Sequence, residues 1–179
     1  MFKIFLLFCL SSGLLFADYI KDFQDFDLNI VPIKADKSVY NKNDVPFFSA
    51  EYLDGRKFSN TDIKGATILV FWAVGCSACK EPMIELSKLD DKIEKHKLKV
   101  KIISVSSDPS QQIMAYFSTN KINLAAIVDN NSSLHKSFGA MVTPLFYLID
   151  KKGYVRGIIP GAIKVGSDSF WKLLEYLGK

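Results

Sequence analysis

Residues 66–74, ATILVFWAV, form a near-continuous apolar run, the pattern of a strand buried on both faces. The period then changes. Met83, Ile84, Leu86, Leu89 and Ile93 recur at helical spacing with Lys88, Asp91, Lys92 and Lys95 opposite, which predicts a long helix from residue 77 onward. Residues 99–105 (KVKIISV) return to strand character, and Ser107-Asp108-Pro109 then caps a helix whose apolar side is Ile113, Met114 and Phe117. A third strand over 124–128 precedes a short helix over 132–138 that stops at Gly139. Residues 145–149 and 154–159 bracket the hairpin turn Asp150-Lys151-Lys152-Gly153, and residues 170–177 close the chain as a helix. Upstream, residues 45–48 and 56–58 flank Asp54-Gly55 as two short strands, and residues 62–65 read as one helical turn. Strands alternate with helices through the middle, then a hairpin and a helix finish the chain. That order predicts an α/β domain with a mixed sheet.

The N-terminus has a different character. Met1-Phe2-Lys3 is a short cationic start, and residues 4–16 are apolar apart from Cys9, Ser11, Ser12 and Gly13. This is the pattern of a secretory signal peptide over residues 1–17, cleaved after Ala17. If uncleaved, residues 4–17 would serve as a membrane anchor, although the run is shorter than the ~20 residues that span comfortably. Residues 18–44 have mixed character and read as an arm ahead of a domain over 45–179.

The chain has 179 residues, 49% hydrophobic and 23% charged, which excludes a disordered tail and suits one domain with a real core. Its net charge of +4 is spread along the sequence, so it carries no nucleic-acid footprint. Removing residues 1–17 also removes Cys9, leaving Cys76 and Cys79 in an oxidising compartment. A bridge between cysteines so close in sequence would stabilise the fold little by chain entropy. Chemistry is the better reason for them.

Gly75-Cys76-Ser77-Ala78-Cys79 lies where the first buried strand turns into the long helix. A helix N-terminus offers unpaired N–H groups and the positive end of the dipole, which stabilise a thiolate at Cys76. Cys79, one turn on, would lie inside and attack a mixed disulfide formed at Cys76. A CxxC at such a junction is a strong redox signal. Half a zinc site would need further ligands, and His96 and His135 are not grouped with the cysteines and read as surface residues. A c-type haem attachment would need His after Cys79, where Lys80 stands. No cofactor is expected. The second notable feature is Thr143-Pro144, directly before a buried strand. Proline there is unusual unless it serves a special turn, often with a cis peptide, and cis is the expectation beside a CxxC.

These features carry a resemblance. Phe71-Trp72-Ala73 before the CxxC, Lys80 after it, and Thr143-Pro144 before Phe146-Tyr147-Leu148-Ile149-Asp150 are similar to the thioredoxin superfamily, and more narrowly to the exported disulfide reductases of the TlpA, ResA and CcmG type. The resemblance covers residues 45–178. It implies a thioredoxin-like fold: a central mixed sheet flanked by helices, with an N-terminal hairpin and a central βα insert over 124–138. It also implies Cys76 as attacking thiol, Cys79 as resolving thiol, and Pro144 with Thr143 beside them to hold extended substrate backbone. The implied activity is thiol–disulfide exchange in the periplasm, reducing protein disulfides in a setting such as cytochrome c maturation. The implied partners are a disulfide-containing or dithiol protein and a membrane-linked or thioredoxin-like electron donor.

The chain departs from the family pattern at several points. Gly75 stands where Trp is usual, and Val70 where thioredoxin has a buried Asp. Pro82 stands where the subfamily often has Glu, which makes Glu81 the substitute candidate proton acceptor and suggests a kink in the helix. An exposed first-turn carboxylate that complements the helix dipole is the plainer reading of Glu81. Two rival functions stay open. A thiol peroxidase would want Thr where Ala73 stands, and a binding module or chaperone would use the same groove without turnover.

Overall fold

The computed structural model describes residues 23, 26–33 and 45–178, so the expected signal peptide and most of the arm, residues 1–22, 24–25 and 34–44, lie outside the described residues, as does residue 179. Strand β4 (Ala66–Trp72) is the predicted apolar run, and every one of its residues is buried. It lies between β5 (Val100–Ser106), paired parallel, and β7 (Leu145–Ile149), paired antiparallel. Beyond β5 come β6 (Ala125–Val128) and the hairpin β2 (Ser49–Tyr52) and β3 (Lys57–Ser59); beyond β7 come β8 (Val155–Pro160) and β1 (Val31–Pro32). The sheet order is β1-β8-β7-β4-β5-β6-β2-β3, a mixed sheet as predicted.

Both faces of the sheet are covered, which is why β4 shows no alternation. Ile68, Val70 and Trp72 point into one core with helices α1 (Lys80–Lys95), α2 (Ser110–Asn120) and α4 (Asp168–Gly178). Leu69 and Phe71 point into a second core with Phe48, Phe58 and α3 (Ser133–Phe138). In α1 the apolar face Met83, Leu86, Leu89 and Ile93 is buried as its spacing requires.

Several boundaries differ from expectation for physical reasons. The hairpin starts later because Phe48 turns inward to pack on Phe58 and Phe138, at ring separations of 5.5 and 6.0 Å, instead of extending the strand. The helical turn read at 62–65 is a 3-10 turn over Asn60–Asp62. There Asp62 accepts the backbone N–H and hydroxyl of Ser59 at 2.8 and 2.7 Å. The long helix begins at Lys80, after a separate 3-10 turn over Ser77–Cys79. Pro82 falls in the first turn of α1, where no intrahelical N–H is required, and α1 runs on to Lys95 without a break. The described residues of the arm pack onto the fold. Phe23 is buried against Tyr176 at 6.0 Å, and Val31 and Pro32 pair with Ile158 and Gly157. A Cβ at Gly157 would sit 3.0 Å from Ile30 Cγ2 and 3.1 Å from the Val31 carbonyl, so glycine permits the close approach.

Half-buried Asp90 on α1 has its carboxyl held above the ordinary value of 3.8, first by burial and then by the charges of Asp91 and Glu94. A raised carboxyl favours the fold while protonated, and that contribution is lost as pH rises through the folded value. Ionised Asp90 therefore destabilises the protein at neutral pH. Asp90→Asn is expected to raise Tm by about 1–3 °C at pH 7 and to leave it unchanged near pH 3, by calorimetry.

Candidate active site

The register of the sheet brings the candidate residues together. Strands β4, β5 and β6 are parallel, so the segments after Trp72, Ser106 and Val128 emerge at one edge of the sheet. Antiparallel β7 begins at that same edge, with Leu145 opposite Phe71. The residues just after β4 and just before β7 must therefore meet. They are the CxxC and Thr143-Pro144.

Cys76 and Cys79 form a disulfide with Cα atoms 5.3 Å apart. The turn leading in closes with the Cys76 N–H on the Ala73 carbonyl at 3.1 Å, and the next with the Cys79 N–H on the Cys76 carbonyl at 3.0 Å. Cys76 caps the 3-10 turn, and Cys79 caps α1. The expected helix terminus is thus stepped: one tight turn lies between Cys76 and the α-helix proper. The two sulfurs differ in access. Cys76 is half-buried, whereas Cys79 is wholly buried in the first core, which also holds Val70, Trp72 and Met83.

The Thr143-Pro144 peptide is cis, as expected. The Thr143 carbonyl oxygen lies 3.5 Å from Cys76 Sγ, a hydrogen-bonding approach once that sulfur carries a proton. Pro144 is buried, and its own carbonyl accepts the Gly161 N–H at 2.8 Å, which ties the turn to the end of β8. Met141 and Val142, the two residues before Thr143, are exposed at 88% and 54%.

Glu81 is exposed on the first turn of α1. It lines a surface groove of about 390 Å³ with Ser77, Lys80, Ile84, Glu85 and Lys88. Val70 is wholly buried in the same core as Cys79 and brings no ionisable group to it. Two residues went unrecognised in the sequence. Asp108, read as a helix cap, sends its carboxylate to the Val74 N–H at 2.7 Å, and Pro109 takes the cap position of α2. His135, read as a surface residue, is half-buried. Its Nδ1 lies 2.7 Å from Asp129, and its ring packs edge-on to Phe71 at 5.0 Å. Among the described residues, no group of His, Cys, Asp and Glu could hold a metal.

A mixed sheet of this order, with a helix-capping cysteine pair at its edge facing a cis-proline turn, defines a thioredoxin-like thiol–disulfide oxidoreductase. The chain belongs to the AhpC/TSA family, which it matches over residues 41–158. It is 26% identical over 132 residues to the thioredoxin-like protein YneN of Bacillus subtilis (strain 168), across 73% of this chain and 77% of that one. It is 25% identical over 181 residues to the thiol-disulfide oxidoreductase ResA of Bacillus cereus (strain ATCC 10987 / NRS 248), across 100% and 95% of the two chains. The crystal structure of a thioredoxin-family thiol:disulfide interchange protein from Chlorobium tepidum TLS is similar in fold, with a TM-score of 0.65 at 19% identity over 76% of this chain and 97% of that one.

The unequal access of the two sulfurs has a direct readout. In the reduced protein, Cys76 is expected to react with iodoacetamide at least about tenfold faster than Cys79, since thiol modification follows exposure and thiolate character. Mass spectrometry of peptides after a timed pulse measures the ratio, and equal rates would count against the assignment.

Proposed function

We propose that the protein reduces disulfides of partner proteins, with Cys76 as the attacking thiol and Cys79 as the resolving thiol. The observation that carries this reading is the half-buried Cys76 joined to wholly buried Cys79, with the Thr143 carbonyl 3.5 Å from the outer sulfur. In the dithiol form, the Cys76 thiolate attacks one sulfur of a partner disulfide; that bond breaks and the other partner sulfur leaves as a thiolate. A mixed disulfide results. The Cys79 thiolate then attacks Cys76 Sγ, the Cys76–Cys79 bond forms, and the second partner thiolate leaves. Two electrons have passed to the partner. An external dithiol donor returns them by the same exchange in reverse.

Thr143 and Pro144 serve as the platform for partner backbone. Pro144 has no N–H, so it places no donor beside the sulfur, and an extended segment laid along Thr143 would add a short strand with little demand on sequence. Glu81, exposed beside Ser77, is the carboxylate we assign to receiving the Cys79 proton by way of solvent. The dipeptide Ser77-Ala78 carries no charge that would make the pair a strong oxidant, which supports the reducing direction. The apolar leader over residues 4–16 supports export, and the family resemblance supports a periplasmic setting such as cytochrome c maturation. Among the described residues no helix is long and apolar enough to cross a membrane.

In an insulin-reduction assay with dithiothreitol as donor, Cys76→Ser is expected to fall to the uncatalysed background. Cys79→Ala is expected to accumulate mixed disulfides that appear as adducts on non-reducing gels. Wild-type activity retained in Cys76→Ser would overturn the assignment of the attacking thiol. Partner capture without turnover by wild type would favour the binding-module reading instead.

A further inference from the structure

The segment that presents Cys76 is short, and its support comes from outside. Between Trp72, the last residue of β4, and Cys76 lie Ala73, Val74 and Gly75. Gly75 is exposed, and a Cβ built on it would meet nothing within 4 Å, so no side-chain packing wedges that residue in place. The Val74 N–H points away from the turn. It donates to Oδ2 of Asp108, 34 residues later in the chain, at 2.7 Å.

That oxygen is itself held. The Ser106 hydroxyl donates to it at 2.7 Å, and the Asp108 N–H donates to Ser106 Oγ at 3.1 Å, so the two residues lock each other. Ser106 is 1% exposed and is the last residue of β5, in register with Trp72. Its carbonyl accepts the Asp129 N–H at 2.8 Å, which ties the lock to the segment after β6. A carboxylate just before a helix ordinarily caps it, because the free N–H groups there want an acceptor. In α2 the cap position is Pro109 and makes no side-chain cap hydrogen bond. The carboxylate is committed elsewhere, to the turn that carries the outer cysteine.

We propose that Asp108 is a positioning residue for thiol–disulfide exchange: set by Ser106, its carboxylate fixes the Val74 backbone so that the turn holds Cys76 Sγ against the Thr143 carbonyl. The proposal rests on the reading of Cys76 as the attacking thiol. Exchange requires the incoming sulfur, the central sulfur and the leaving sulfur to come into line, and a misplacement of about 1 Å in such a geometry can cost on the order of a hundredfold in rate. A hydrogen bond to an ionised acceptor is about twice as strong as a neutral one, which suits it to restrain an otherwise loose turn. The clamp contains no sulfur, so it persists in both redox forms.

The test separates an acceptor from a charge and from general stability. Asp108→Asn keeps an oxygen that can take both the Val74 and Ser106 hydrogens; Asp108→Ala keeps neither; Ser106→Ala leaves the carboxylate but removes its support. Each is made in the full chain and in a Cys79→Ala background, where stopped-flow mixing with an oxidised peptide reads the first attack by Cys76 alone. Asp108→Ala is expected to slow that step about tenfold or more, and Asp108→Asn to restore it to within about threefold of the parent, with Ser106→Ala between them. Iodoacetamide reactivity of Cys76, which needs no alignment of three sulfurs, is expected to change less than the exchange rate. Thermal melts establish that each variant is folded, and if Asp108→Ala is not, the Asn and Ser106 variants carry the comparison. An unchanged exchange rate in folded Asp108→Ala or Ser106→Ala would overturn the proposal, and so would Asn as slow as Ala. Failure of the parent reading shows separately, as exchange that survives Cys76→Ser.

Discussion

The pairing of β4 between parallel β5 and antiparallel β7 is the constraint on which the rest depends. Parallel pairing sends the ends of β4 and β5 out at one edge, and antiparallel pairing starts β7 at that edge. A disulfide-forming pair on one segment is thereby set against a proline turn more than sixty residues later, with no contact between them needed to define the fold. Burial of β4 on both faces holds this arrangement. A slip of one residue would move Ile68, Val70 and Trp72 into the core now filled by Leu69 and Phe71, so register is strongly specified. The site inherits the placement of its two segments from an apolar core.

What could be read in the sequence follows the range of the signals. The run over 66–72, the helix face from Met83 to Ile93 and strand Leu145–Ile149 are written in local periodicity, and the structure places them within a few residues of expectation. The CxxC and Thr143-Pro144 were legible because each is a short motif beside such an element. Asp108 was not, because Ser-Asp-Pro is a good local cap signal and its true partner is a backbone N–H that carries no side-chain identity. His135 was misread because nothing near it in sequence shows that α3 folds back over Phe71, with Asp129 beneath its first turn. The arm resisted reading for another reason. Among its described residues the contacts come from scattered positions, Phe23, Phe26, Leu28 and Ile30, and the strand there has two residues, too few to show any period.

The departures from the family pattern share a direction. Gly75 removes a large side chain next to Cys76 in the chain, Val70 removes an ionisable group from the core that holds Cys79, and Glu81 lies outside in solvent. Each leaves the disulfide with less support from side chains than the pattern suggests. What surrounds the outer sulfur is then largely backbone: the 3-10 turn that Cys76 begins, and the Thr143 carbonyl. Backbone groups are only as well placed as the turns that hold them.

This gives the polar groups at the sheet edge their meaning. Ser106, Asp108 and Asp129 stand at or just after the ends of β5 and β6, and each bonds mainly to backbone or to another of the set. Asp129 is 2% exposed and accepts from the N–H groups of Leu134 and His135 at 3.1 and 3.0 Å, fixing the start of α3. The Ala140 N–H returns to the His135 carbonyl at 2.7 Å, and the chain then runs through Met141 and Val142 to Thr143. One aspartate thus steadies the segment before Cys76, and the other steadies the helix that leads to Thr143. Burying a carboxylate is costly unless it is hydrogen-bonded; both oxygens of buried Asp129 accept hydrogen bonds, and half-buried Asp108 takes two on Oδ2. Both anchors stand just past strand ends, so the backbone on each side of the site is tied to the same sheet.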